Sequence, residues 1–340
     1  MNKIILILFY FLLLSNFVYP QFTAGSGTSA DPYQLSSLND LIELNNHLQN
    51  GNNWSKGKFF ILTNDINDTL RFPIGHLSDN SKCFQGNING QNFIIPIKIN
   101  IIGGSANNYR GLFTKVIDGV VSGIIVTGSI TDTTTNGSTW MAGILGEATN
   151  TNISFCKNLA DITNGTTVAG IVARAWRCNI TNCENYGTII LTNKFAIPQG
   201  RNCNIGGITA WVEDTQILNC LNAGTVYSDY NISSGGIGGG ISGYMHSGNQ
   251  MINCINIGSV FAENYDYVAG LVGMNYTNCT IKKCINAGYV CGINLVNVGN
   301  FGNGGVAGII GHNRSSIPLE NCINIGVIEG ANIGGIECPP

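Results

Sequence analysis

Charged side chains are scarce in this 340-residue chain. Asp, Glu, Lys and Arg make up only 10% of the residues, the formal net charge is -3, and Lys and Arg form no basic run. Proteins that bind nucleic acid concentrate basic residues on one face or in one segment. The composition therefore predicts that nucleic acid is not a partner.

Metal-binding and catalytic patterns are also missing from the sequence. The chain has 12 Cys but no Cys-x-x-Cys pair, and its four His are scattered. A zinc site needs ligands at close, fixed spacing, and sugar-cleaving chemistry needs paired carboxylates. The acids of the repeat region are dispersed, and their one adjacent pair, Glu213 and Asp214, is explained by a solvated turn. We predict no metal, no cofactor and no catalytic residues.

Long apolar runs are absent except at the N-terminus. There, Lys3 precedes an unbroken apolar run from Ile4 to Leu14. The run is too short to cross a bilayer, which takes about 20 residues, and it has the pattern of a signal-peptide core. We predict a signal peptide over residues 1–20 and no transmembrane segment beyond it. The mature chain is then expected to be secreted or held at the cell surface.

Glycine, in contrast, is abundant, and much of it belongs to a repeat. Six copies begin with an Ala/Gly-Gly-Ile/Leu step whose central Gly lies at positions 143, 170, 207, 240, 270 and 308. A Cys follows thirteen or fourteen residues later, and an Asn lies two residues past it. The cysteines are Cys156, Cys183, Cys220, Cys254, Cys284 and Cys322, and the asparagines are Asn158, Asn185, Asn222, Asn256, Asn286 and Asn324. A fixed pattern of this kind predicts one structural unit per repeat.

The repeats predict strands joined by tight turns. They are 27 to 38 residues long, without a helical pattern, and polar and apolar residues alternate around the Cys. Leucine-rich repeats and propeller blades have similar periods, but their Leu-x-x-Leu-x-Leu and Gly-His…Trp-Asp signatures are absent. We predict an all-β fold, a parallel β-helix (solenoid) of about seven coils.

The Cys and the Asn of the repeat are each predicted to form a ladder. Ile124 stands at the Cys position in an earlier, degenerate copy, which indicates a buried apolar position. Stacked coils lie about 4.8 Å apart, whereas a disulfide needs Cβ atoms about 3.8 Å apart. We therefore predict free ladder thiols, with the redox state of the other six Cys left open. The Asn amides are predicted to hydrogen bond from coil to coil.

Residues 21–100 lack the repeat. Apolar residues at helical spacing between Leu38 and Leu48 predict a short helix, capped by Ser36 or Ser37 and stopped by Gly51. Segments 58–66 and 84–101 predict strands. Because a repeat stack needs an atypical unit to cover its end, we predict an N-terminal α+β cap over residues 21–100 and the repeat β-helix over 101–340.

The repeat phrases AGLVG, AGIIG, NCINIGSV and NCINAGYV resemble the GLUG-motif repeat family of secreted and cell-surface proteins. In the N-terminal part, FFILTNDI, FPIG, FQGNINGQNF and YRGLF resemble the same family in the same order. The resemblance implies a right-handed β-solenoid in an adhesin-like setting. It carries over no catalytic residue.

Function is predicted to lie on the variable inserts between repeats, since inserts at one phase of a solenoid project from one edge. Their aromatic residues are Phe195, Tyr227, Tyr230, Tyr265, Tyr267 and Phe301. Rings among polar groups suit a cell-surface glycan or protein as partner, unless they fold back to cover the flank of the solenoid. We predict a non-enzymatic surface protein that acts in adhesion or binding. A polysaccharide-acting lyase or hydrolase and a purely structural spacer stay open as alternatives.

Overall fold

The computed structural model describes residues 22, 24–76, 78–102, 108–133, 139–192, 203–229, 236–265, 267–293, 305–330 and 333–337. Within these ranges the protein is all-β apart from one α-helix and one short 3-10 helix, and its long sheets are built from parallel strands. The predicted all-β class is confirmed. The parallel sheets are consistent with a parallel β-helix.

Four sheets of the described chain are each formed by equivalent strands of successive repeats. Sheet 1 contains Tyr33–Leu35, Phe59–Leu62, Asn87–Asn89, Val120–Ser122, Asn152–Ser154, Asn179–Thr181, Gln216–Leu218, Gln250–Ile252 and Thr280–Lys282. Sheet 2 contains Phe113–Ile117, Leu145–Thr149, Val172–Trp176, Thr209–Glu213, Ser242–Ser247, Val272–Thr277 and Ile310–Asn313.

Sheet 3 begins with three long strands and continues as pairs of short ones. The long strands are Ile94–Ile101, Ile125–Asp132 and Lys157–Thr163. The pairs are Glu184–Asn185 with Ile189–Leu191, Leu221–Asn222 with Val226–Ser228, Ile255–Asn256 with Val260–Glu263, Ile285–Asn286 with Val290–Ile293, and Ile323–Asn324 with Ile328–Gly330. Sheet 4 contains Asn108–Arg110, Thr139–Ala142, Thr167–Ala169, Cys203–Gly206, Gly236–Gly239, Tyr267–Ala269, Gly305–Ala307 and Ile333–Gly334.

Along one repeat, the chain contributes strands to sheets 4, 2, 1 and 3 in that order. The Gly step therefore lies between the strands of sheets 4 and 2, and the Cys lies between the strands of sheets 1 and 3. Alternating burial explains the strands. In Lys157–Thr163, for example, Asn158, Ala160 and Ile162 are buried while the residues between them face outward. The inward residues of successive coils share one apolar core that extends through the stack.

The repeat asparagines form a continuous ladder of amides, all of them buried except the half-buried Asn324 at its end. Nδ2 of Asn158 donates to Oδ1 of Asn185 at 2.8 Å, and the same bond recurs at 2.7–2.8 Å along the series Asn185, Asn222, Asn256, Asn286 and Asn324. Each Nδ2 also donates to the carbonyl two residues further on. A Cβ at Gly143 or Gly170 would meet the ladder side chain beside it, which explains the Gly step.

The six repeat cysteines occupy equivalent positions as free thiols, five of them buried and Cys322 half-buried. Each Sγ donates to the carbonyl two residues earlier, at 3.1–3.6 Å. Hydrogen bonding to Cys254 raises the pKa of Cys284 to about 12. Outside the ladder, burial raises the pKa of Cys178 to about 12. The thiols of Cys284 and Cys178 are therefore protonated and unreactive at neutral pH.

The N-terminal segment holds the helix and continues the stack. The α-helix Leu38–Gln49 begins after Ser37, whose hydroxyl accepts from the Asp40 amide while the Asp40 carboxylate accepts from the Ser37 amide. A 3-10 helix spans Asn80–Lys82. Three strands of this segment add to sheet 1 in parallel with the repeats. Among the residues described, no helix has the length and apolar character needed to cross a membrane.

Candidate ligand-binding site

The aromatic insert residues do not gather into one exposed surface. Phe195, Tyr230 and Phe301 lie outside the described residues. Tyr265 and Tyr267 are buried, with 0% and 1% of their surface exposed. The Tyr265 ring occupies the space beside Gly236, where any side chain would meet it. The prediction that these two tyrosines face a ligand is therefore corrected, because both rings pack inside the protein.

Tyr227 is the insert aromatic that the structure shows at the surface. It is half-buried in sheet 3, and its ring stacks on Phe261 of the next coil with centroids 5.2 Å apart and planes at 8°. Burial raises the pKa of Tyr227, and the nearby Asp229 carboxylate adds to the rise. One face of the Tyr227 ring is therefore covered by the Phe261 ring.

A more extensive surface lies where sheets 4 and 2 meet, on the side away from the main core. Two small apolar clusters, separate from that core, join the sheets there. The first consists of Ala142, Ala169, Ala173 and Ala210, with Trp140 packed against it. The second consists of Ile237, Tyr267 and Met274, with Tyr244 and Tyr276 packed against it. Small side chains in the first cluster leave room for the large ring that covers them.

The large side chains of this surface come from positions that are in register from coil to coil. One position of sheet 2 holds Lys115, Glu147, Arg174, Trp211, Tyr244, Met274 and His312 in successive strands. The position two residues later holds Ile117, Thr149, Trp176, Glu213, His246, Tyr276 and Arg314. We call the following set the aromatic band: Tyr109, Trp140, Arg174, Trp211, Tyr244, His246 and Tyr276.

The centre of the band is a stack in which cations cover the end rings. Trp211 and His246 have centroids 5.7 Å apart with planes at 25°, and His246 and Tyr276 have centroids 5.6 Å apart with planes at 20°. The Arg174 guanidinium lies 4.9 Å from the Trp211 centroid, and that of Arg314 lies 5.5 Å from the Tyr276 centroid. Stacking and cation–π contacts therefore occupy the faces of these three rings.

Trp140 and Tyr244 are turned out of this stack. The Trp140 plane lies at 84° to that of Trp211, with centroids 6.4 Å apart. The Tyr244 plane lies at 79° to that of His246 and 63° to that of Tyr276. Arg174 approaches one side of Trp140, at 5.5 Å from its centroid. Both rings are half-buried, so part of each ring is exposed to solvent at an angle to the stack.

Ionised groups surround the end of the band formed by the first coils. Glu147, only 7% exposed, accepts from Lys115 at 3.1 Å and lies 3.8 Å from the Arg174 guanidinium. Arg174 also donates to the Tyr109 hydroxyl at 3.2 Å. Burial raises the pKa of Tyr109 to about 12, and the Glu147 carboxylate adds to the rise. Tyr109 is therefore a neutral hydrogen-bonding group at neutral pH.

His246 of the band and the neighbouring Glu213 have the form of an acid–base dyad. Nδ1 of His246 lies 3.4 Å from Oε1 of Glu213, and the Ser247 hydroxyl donates to the same oxygen at 3.4 Å. A carboxylate beside one imidazole nitrogen leaves the other for proton transfer. Burial raises the pKa of the adjacent Tyr244 to about 12. The described residues contain no group of three or more His, Cys, Asp or Glu that could hold a metal ion.

A concavity of about 410 Å³ lies beside the first coils, away from the band, and is lined in part by Arg71, His76, Arg110 and Thr114. Three of its polar side chains, His76, Thr114 and Arg110, have partners within the protein. Nδ1 of His76 accepts two backbone amides at 3.1 and 3.3 Å, and Thr114 donates to backbone carbonyls at 3.2 Å. Burial lowers the pKa of Arg110, whose guanidinium interacts with the Asp132 carboxylate. We therefore place the candidate site at the band.

The sequence contains a pattern that indicates the band, but it lies at variable positions of the repeat rather than at the constant ones. The repeat is defined by its constant Gly, Cys and Asn, whereas a binding surface consists of positions that vary. Four residues after the Gly of the step, the chain has Arg174, Trp211 or Tyr244 where a solvent-facing strand position would ordinarily be small or polar. Large rings at the same outward position of two neighbouring repeats, Trp211 and Tyr244, indicate a shared surface.

Comparisons with known proteins bear on the fold alone. No protein-family model matches the chain, and no curated protein matches it. Among solved structures, the chain is similar to a "putative immunoglobulin A1 protease" from Bacteroides ovatus, with a TM-score of 0.58 and 14% sequence identity. The match covers 91% of this chain and 86% of that one. At this identity the likeness supports the architecture over nearly the whole chain.

Proposed function

We propose that this protein is a non-enzymatic β-solenoid that binds carbohydrate through the aromatic band. The proposal rests on two half-buried rings, Trp140 and Tyr244. Both are turned out of the stack, in which the other rings cover one another's faces. A sugar has an apolar face that packs on an aromatic ring and hydroxyls that need hydrogen-bonding partners. Arg174 and Glu213 supply such partners beside the two rings.

The setting we propose is adhesin-like, at the cell surface or after secretion. Support comes from the Lys3 and apolar-run pattern of residues 1–20, which lie outside the described residues, and from the GLUG-like repeat phrases. We further propose that the solenoid is right-handed, has about seven coils, and is capped by residues 21–100. The helix Leu38–Gln49, which lies before the first repeat, supports the cap.

A polysaccharide-acting enzyme is the second candidate, and the His246 and Glu213 pair is the observation in its favour. The stack counts against it, because both faces of the His246 ring are covered by Trp211 and Tyr276. A purely structural spacer is the third candidate. It requires no exposed recognition surface, so it leaves Trp140 and Tyr244 unexplained.

The experiment is a glycan array combined with a turnover screen, using the mature chain and two tryptophan variants. We expect binding without turnover, much weaker binding of long glycans in Trp140→Ala, and unchanged binding in Trp176→Ala. Trp176 is the control because it is a tryptophan that is 37% exposed, lies on sheet 2 as Tyr244 does, and is outside the band. Turnover that His246→Gln abolishes would establish the enzyme, and absence of both binding and turnover would favour the spacer.

A further inference from the structure

The positions of the two outward-turned rings define the shape of the ligand. Trp140 belongs to the coil whose sheet 2 strand is Leu145–Thr149, and Tyr244 lies on strand Ser242–Ser247. Two coils, with strands Val172–Trp176 and Thr209–Glu213, lie between them. Since neighbouring parallel strands are spaced by about 4.8 Å, the backbone positions that carry the two rings are separated by about 14 Å along the stack.

The two strands between the rings carry Arg174 and Trp211 at one outward position and Trp176 and Glu213 at the other. Ala173 and Ala210 belong to the cluster on which Trp140 packs, and they come from the two intervening strands. The Arg174 guanidinium lies over this stretch, between the Trp140 and Trp211 rings. A guanidinium has five N–H donors, and the hydroxyl of Tyr109 takes one of those on Arg174. Donors are therefore present along the path from one ring to the other.

We propose that the band binds a linear, unbranched polysaccharide that lies parallel to the stacking direction of the coils, with one sugar on Trp140 and another on Tyr244. The proposal rests on the carbohydrate-binding function above and specifies its ligand class. A sugar unit is about as long as one coil spacing, so roughly four consecutive units reach from one ring to the other. A mono- or disaccharide contacts only one ring.

Two-point attachment predicts a strong dependence of affinity on chain length. Once one ring is occupied, the second contact is intramolecular and occurs at high effective concentration. A six-unit chain should therefore bind on the order of 100-fold more tightly than a two-unit chain of the same sugar. Beyond about six units, affinity should stop rising, because further units lie past both rings.

The test measures affinity for two- and six-unit oligosaccharides by calorimetry. The probes are linear β-1,4-linked series of glucose, N-acetylglucosamine and galactosamine, and a linear α-1,4-linked series of galacturonic acid. The proteins are the mature chain, Trp140→Ala, Tyr244→Ala and the control Trp176→Ala. We expect each band variant to lower affinity for the hexamer to about that for the dimer. Dimer affinity should change about twofold or less, because the other ring remains, and the control should match the parent chain for both lengths.

Equal affinity of the parent chain for dimer and hexamer, or an equal loss for both lengths in each band variant, would overturn the linear-ligand proposal. Binding on the array to branched or terminal sugars, without binding to any linear series, would overturn it while the proposed function stands. Binding to no carbohydrate would overturn both.

Because Trp140 covers an apolar cluster, Trp140→Leu serves as a second variant that keeps apolar cover but removes the flat ring, and a thermal melt checks its fold.

Discussion

Removing one amide from the centre of the Asn ladder should weaken the solenoid far more than removing one at its end. Asn222 is fully buried, accepts from Asn185 at 2.8 Å, and donates to Asn256 at 2.8 Å and to the Gly224 carbonyl at 3.0 Å. In Asn222→Ala all three bonds are lost, at about 1 kcal/mol each. The Asn256 oxygen is also left buried without this donor, which costs about 1–3 kcal/mol more. We expect a loss of about 4 kcal/mol in the free energy of unfolding.

Asn324→Ala is the matched control for this change. Asn324 has the same ladder position but is half-buried, accepting from Asn286 at 2.7 Å and donating to the Gly326 carbonyl at 3.2 Å. Water can replace these bonds, so the expected loss is about 1 kcal/mol. Urea unfolding followed by circular dichroism gives both values, with unchanged slopes confirming comparable transitions. Equal losses for the two variants, or a loss below about 1 kcal/mol for Asn222→Ala, would refute the cooperative ladder.

Four further outcomes are expected. Gly207→Ala should lower the free energy of unfolding, measured in urea, by about 3 kcal/mol, because the new Cβ would meet the Asn222 side chain and the Gly240 carbonyl. Gly335 has open space around it, so Gly335→Ala should change the same free energy by less than about 0.5 kcal/mol. Cys254→Ala should cost about 1–2 kcal/mol as a small buried side chain lost, again by urea unfolding. Thiol titration of the unfolded, unreduced chain should find all six ladder cysteines free; blocked ladder thiols would contradict this. Ultraviolet titration should show late-ionising phenols with pKa about 12, one of which disappears in Tyr244→Phe.

The constant part of the fold could be read from the sequence because the fold itself imposes it. Gly170 has to lack a Cβ since the Asn185 amide lies against it. The Asn185 amide accepts from one coil and has two N–H donors, one for the next coil and one for the Gly187 carbonyl, which a hydroxyl with a single donor could not supply. Such constraints recur in every coil, so they appear in the sequence as a period. The local signal for the helix was equally direct, as the Ser37 and Asp40 capping box shows.

The candidate site could not be read in the same way, because its geometry depends on neighbouring coils. Tyr265 is buried since Gly236, on another strand, leaves room for its ring, and nothing in the sequence near Tyr265 indicates this. Trp211 and Tyr244 occupy the same repeat position, yet the first joins the stack and the second turns out of it. Which ring faces a ligand is decided by packing between coils, not by residue type.

Hydroxyl-radical footprinting of the mature chain, with and without a bound six-unit oligosaccharide, tests most directly whether the band is the binding surface. Mass spectrometry then reports the protection of each aromatic side chain. Our account predicts strong protection of Trp140 and Tyr244, and unchanged labelling of Trp176 and Tyr227. Protection of Tyr227 or of the insert residues Phe195, Tyr230 and Phe301, with Trp140 and Tyr244 still labelled, would contradict it and place the site on the insert edge.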